Sequence, residues 1–211
     1  MEQDPNKIEE ASKAFNTLVR NLVKPSRLIL SEMTPHKMDG LHAIIGLTGE
    51  LGELSIATTP ENLIEESGDI LFYIEYLSNW AQVFNVDGKY SDEDLNAYHE
   101  TIADEIQAIS NEDCPLGKVR IISNALQDLI KKYAIYNQAA NDIGIMSIMA
   151  NLIHHFHALV ADVSSLIKME TGMDYGPVEY ANAVTAKLMK RYPSGQFTNF
   201  DAKERADKQD Q

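Results

Sequence analysis

Four acidic side chains between Gly46 and Tyr76 stand in two pairs, Glu50 with Glu53 and Glu66 with Asp69. Members of each pair are three residues apart, and on an α-helix that spacing puts them on one face. Clustered carboxylates repel one another and attract a hard divalent cation. With only oxygen ligands on offer, Mg2+ or Mn2+ is the ion such a set suits. Two helices must carry the pairs. Between them Thr59 suits an N-cap, Pro60 a first helical position and Glu61 the positive end of the helix dipole. So short a link makes the helices antiparallel neighbours, with the four carboxylates facing across the pair.

The apolar pattern says which way the acids point. From Glu66, steps of four and three reach Ile70, Tyr73, Leu77 and Trp80, a core stripe. Glu50 is in line with Ala43, Leu47, Leu54 and Ala57. The acids therefore occupy inward positions, where an unpaired charge is costly. Lys and Arg are absent from residues 39 to 88, so no cation close in sequence neutralises them. Gly46, Gly49 and Gly52 recur every three residues on the first of these helices. Each costs about 1 kcal/mol of helix propensity. A bare strip of this kind lets another helix, or a phosphate, come close.

These residues resemble the MazG-like all-α NTP pyrophosphohydrolases of phages and bacteria. The family's E-x-x-E, a gap of a dozen or more residues, then E-x-x-D reads here as Glu50-Leu-Gly-Glu53, twelve residues, Glu66-Ser-Gly-Asp69. Leu41-His42-Ala43, Gly46-Leu47, Gly52-Glu53-Leu54 and Phe72-Tyr73 with Glu75 are similar to its flanking words. The resemblance implies an all-α helical bundle in which Glu50, Glu53, Glu66 and Asp69 are both metal ligands and catalytic residues. The implied reaction is (d)NTP plus water to (d)NMP plus pyrophosphate, with Mg2+ as cofactor and Mn2+ as a substitute.

The rest of the chain reads as helices as well. An amphipathic helix is expected from about Asn6 to Val23, broken by Lys24-Pro25-Ser26, with a short turn at Leu28 to Leu30. The carboxylate helices are expected from Met38 to Ala57 and from Pro60 to Val83. Further helices follow at 91–110, at 118–137 after a break over 111–117, at 142–169 and at 177–191. Asp201 to Gln211 is a charged, partly helical tail. Sustained strand alternation is absent from the sequence.

One domain, 1–211, is expected, holding a carboxylate-bearing pseudo-repeat at 38–83 and a degenerate one at 118–169. A C-terminal helix and tail follow at 177–211. The second repeat rests on Lys131-Lys132 and Tyr136-Asn137, which resemble a family word missing after Glu53. Laid through Lys131, the family pattern puts its carboxylate positions at Ile122, Ala125, Ile148 and Asn151, none of them acidic. The resemblance thus implies a fused pseudo-dimer whose second half lends Lys131, Lys132, Tyr136 and Asn137 to the substrate phosphates. Lys187-Leu188 and Arg191-Tyr192-Pro193 match another family word, which adds Lys187, Arg191 and Tyr192 as substrate contacts.

Composition bounds the partners. A formal net charge of −14 and a pI near 4.7 argue against binding a nucleic-acid polymer, which needs a basic surface. Cys114 is the only cysteine, so an internal disulfide is excluded and a reducing compartment fits. The polar, acidic start is not a signal peptide, and the apolar runs fall short of transmembrane length. These features lead to the expectation of a cytoplasmic protein without a membrane partner, in the host cytoplasm if phage-encoded. A homodimer stays open. His154, His155 and His157 fall at packed helix positions in the repeat alignment. Two alternatives stand beside the hydrolase: a metal hydrolase of another phosphorylated nucleotide, and an inactive nucleotide-binding or interaction module.

Overall fold

A computed structural model describes residues 5–84 and 113–204. The helix expected at 91–110 and the turn at 85–88 lie outside these residues. Every regular element among the described residues is a helix. In chain order they are α1 (Pro5–Leu22), α2 (Ser26–Glu32), α3 (Pro35–Leu54), α4 (Pro60–Ala81), α5 (Pro115–Ala134), α6 (Asp142–Thr171), α7 (Pro177–Arg191) and α8 (Asn199–Glu204).

Local chemistry sets the ends. The Thr34 and Thr59 hydroxyls accept hydrogen bonds from the Lys37 and Asn62 amides, and Pro35 and Pro60 take the first helical positions. Asn141 caps α6 through the Gly144 amide at 3.1 Å, and Gly172, at φ +74°, ends it in the left-handed region that glycine adopts without penalty. Several helix ends differ from the sequence reading. α3 starts at Pro35 and stops at Leu54, and α5 starts at Pro115, which is a first helical residue rather than part of a break. The segment read as a turn near Leu28 is the short helix α2.

Two antiparallel hairpins, α3–α4 and α5–α6, pack side by side, α3 against α5 and α4 against α6. Glycines allow the first hairpin to close tightly. A Cβ on Gly46 would lie 2.1 Å from the Tyr73 ring, and one on Gly40 would lie 2.7 Å from Trp80. The Trp80 indole donates to the His36 carbonyl at 2.8 Å. The Arg120 guanidinium donates to the Ser55 hydroxyl at 3.2 Å, while Lys37 donates to Asn137. α5 therefore runs antiparallel to α3. Leu47, Leu51, Ile70, Leu77, Ile122, Leu126, Ile130 and Leu152 are fully buried where the four helices meet.

α7 lies along α4, with Tyr180 and Val184 over Gly68. By length and hydropathy α6 could cross a membrane, contrary to the expectation that no such run exists. Half of its apolar window is buried within the bundle, as a core helix requires.

Candidate metal centre

α3 and α4 bring three of the four predicted acids together. Carboxylate oxygens of Glu50, Glu53 and Glu66 lie within 4.8 Å of one another. Glu50 and Glu66 are half-buried and Glu53 is exposed, so the cluster opens at one side. Burial pushes the Glu50 carboxyl up to about 7, helped by the Asp69 charge and by a hydrogen bond shared with Glu66. Glu66 is also raised, by burial foremost and by the charges of Glu53, Glu65 and Asp69, against the hydrogen bond from Glu50. Crowded acids that hold a proton at neutrality lack positive charge.

Asp69 stands beside the cluster, and its charge acts on both Glu50 and Glu66. Its carboxylate pairs with Lys187 of α7, which also bridges to Glu65 at 2.8 Å. The Lys187 side chain is only 18 % exposed. Burial pulls its ammonium down, and the hydrogen bonds and charges of Asp69 and Glu65 outweigh that and raise it. The cation missing from residues 39 to 88 thus arrives from 118 residues away. Tyr73, between Gly46 and the acids, is raised by burial and by the charges of Glu50 and Asp69. Arg191 and Lys187 oppose that rise, so both cations act on the same locus. The Arg191 guanidinium also sits 6.0 Å from the Tyr192 ring, and Tyr192 packs on Phe197.

The lysines of α5 are placed elsewhere. Asn137 accepts from Lys37 at the start of α3, and the Lys131 ammonium lies 5.7 Å from the Tyr136 ring. Lys132 pairs with Asp128 at 2.6 Å. From Lys37 to Glu50 is about 20 Å along α3 at the rise of an α-helix. Because α5 is antiparallel to α3, Lys131, Lys132, Tyr136 and Asn137 sit at the opposite end of the bundle from the carboxylates. Within one chain the fold does not bring these two sets together. Ile122 and Ile148, which the sequence reading sets at carboxylate positions of a second repeat, are core residues.

Sequence reasoning gave Glu65 no role of its own. The signal was its four-residue spacing to Asp69, which lets one cation on a neighbouring helix bridge both. A cavity of about 330 Å3 opens beside this bridge between α4 and α7. Its apolar wall is Ile64, Ala183 and Val184, and its polar wall is Glu61, Glu65, Lys187 and Lys190.

The donor set fits a hard divalent ion. Glu50, Glu53 and Glu66 offer oxygen donors alone, the ligand type that hard divalent ions take. Comparison with family models, with curated proteins and with solved structures finds no match. Fold and site together define an all-α bundle with a half-buried carboxylate cluster and an adjoining half-buried cation.

Proposed function

We propose that this chain is a MazG-like, Mg2+-dependent nucleoside triphosphate pyrophosphohydrolase that releases a monophosphate and pyrophosphate. The carrying observation is the convergence of Glu50, Glu53 and Glu66 within 4.8 Å. These three would hold the ion, and Asp69 borders them. When bound, a divalent ion neutralises phosphate charge and polarises the phosphoryl group. The remaining work falls to the chain's own groups.

Water attacks the α-phosphorus, the α–β anhydride bond breaks, and a carboxylate of the cluster takes the water's proton. Lys187, oriented by Asp69 and Glu65, supplies a fixed positive charge for the departing pyrophosphate. Arg191 acts on the same locus from the next turn of α7. The cavity between α4 and α7 gives the nucleoside end an apolar wall beside that charge. On this reading the two hairpins are pseudo-repeats, the first keeping its acids and the second serving as scaffold.

A panel of ribo- and deoxyribonucleoside triphosphates with Mg2+ tests the proposal, with pyrophosphate read against orthophosphate. Stoichiometric pyrophosphate from at least one nucleotide, abolished by EDTA, is expected. Orthophosphate alone, or no turnover across the panel, contradicts it.

A further inference from the structure

α4 and α7 run antiparallel beside the carboxylate cluster. Tyr180 and Val184 lie over Gly68, and further along α7 Lys187 reaches back to Glu65 and Asp69. Lys190 follows about one turn later and so comes opposite the start of α4, where it lines the cavity together with Glu61. The two ends of this cavity differ. At the inner end the Lys187 ammonium is held by two carboxylates. At the outer end the Glu61 carboxylate has no partner among the described residues. Glu61 hangs from a set piece of backbone. It follows Pro60 in the first turn of α4, which the Thr59 hydroxyl caps through the Asn62 amide.

Size and lining limit the occupant. A volume of about 330 Å3 is at the lower end for small-molecule sites, room for one nucleoside and little more. Ile64, Ala183 and Val184 form an aliphatic wall, and no aromatic ring among the described residues lines the cavity. Any base can pack its flat face on such a wall, so discrimination falls to the base's edge. From Asp69 to Glu61 is two turns, about 12 Å along α4. That is comparable to the reach of a nucleotide from its α-phosphate to the far edge of its base.

The chemistry of that edge names the base. A carboxylate offers acceptors and no donor. Among the common bases, guanine presents two adjacent donors on its pairing edge, N1–H and the 2-amino group. Adenine and cytosine set a ring-nitrogen acceptor beside their amino group. Uracil and thymine flank a single N–H with two carbonyls. An acceptor turned toward Glu61 is repelled, which selects against those four. Guanine O6, on the same edge, is an acceptor, and the Lys190 ammonium supplies donors on the facing helix.

Resting on the nucleotide reading above, we propose that this cavity is a guanine subsite. Glu61 accepts from N1–H and the 2-amino group, Lys190 donates to O6, and guanosine triphosphates are the preferred substrates.

Hydrolysis and binding test this separately. With Mg2+, kcat/KM for GTP should exceed that for ATP and for inosine triphosphate, which lacks only the 2-amino group, by about tenfold or more, as one bidentate base contact provides. The difference should reside in KM. Glu61→Ala should bring the ratio of GTP to inosine triphosphate close to one, with unchanged circular dichroism. Equal rates on the two nucleotides, or a preference that survives Glu61→Ala, overturns the guanine subsite and leaves the hydrolase standing. If the chain hydrolyses no triphosphate, calorimetric titration with guanosine and inosine 5′-monophosphates decides. Tighter binding of the guanosine form that Glu61→Ala abolishes upholds the subsite although the activity fails. Equal affinities, or no binding of either, overturn it.

Discussion

The two hairpins share a layout and differ in what sits at their inward positions. In α3–α4 the helix faces that meet carry Glu50 and Glu66. In α5–α6, Ile122 and Ile148, which the proposed repeat would set opposite Glu50 and Glu66, are buried in the core. The first arrangement leaves acids crowded enough to lift Glu50 to about 7. The second gives ordinary close packing. Both hairpins fill the core, with Leu47, Leu51, Ile70 and Leu77 in the first and Ile122, Leu126, Ile130 and Leu152 in the second, and the first also sets crowded acids beside that packing. Natural sites often carry strain that the rest of a fold must offset.

Substitutions can break that contrast. Glu53→Gln should slow pyrophosphate release by about 100-fold or more, since several kcal/mol of charge stabilisation depends on the ligand set. Glu53 is exposed, so the far-ultraviolet circular dichroism should hardly change. Ile122→Ala is the counterpart in the other hairpin. It should cost about 2–5 kcal/mol in urea unfolding, with the folded fraction keeping its rate. Lys187→Met removes the cation shared by Asp69 and Glu65. A loss on the order of 1–3 kcal/mol is expected for hydrogen bonds to charged groups, together with a lower kcat.

Acidity sharpens the comparison further. In EDTA the folded chain holds the Glu50 proton up to about 7, against an ordinary 4.5. Between those values the folded state binds more protons than the unfolded one, so raising the pH lowers stability. Tm in EDTA should therefore fall from about pH 4.5 to 7, and Mg2+ should flatten the trend by favouring the ionised acids. The smallest effect is expected at the far end. Lys132→Ala removes an exposed pair with Asp128 and should change stability by less than about 1 kcal/mol. Placed away from the carboxylates, it should leave the rate within twofold; a large loss would mean that this lysine reaches substrate.

Much of this was legible in the residues. Thr59-Pro60 announced the start of α4, and the acid spacing announced a shared face. The same logic applied to Thr34-Pro35 and to Pro115 would have moved two helix starts to where they lie, because proline at a first turn begins a helix as readily as it breaks one. Other features were not legible. The Lys187 bridge joins residues 118 apart, beyond any helical spacing rule. The remoteness of Lys131 and Asn137 follows from the direction of α5 against α3, which a repeat alignment does not encode. The apolar row of α1 was visible as a helix signal, but periodicity does not say what covers it.

The most direct test of the metal centre is thermal melting of the intact chain at neutral pH, in Mg2+ and in EDTA, beside a Glu50→Gln variant. A bound ion should raise the Tm of the unmodified chain, and the variant should lose most of that rise. Superimposable melts of the unmodified chain with and without the ion would contradict a metal held by Glu50, Glu53 and Glu66.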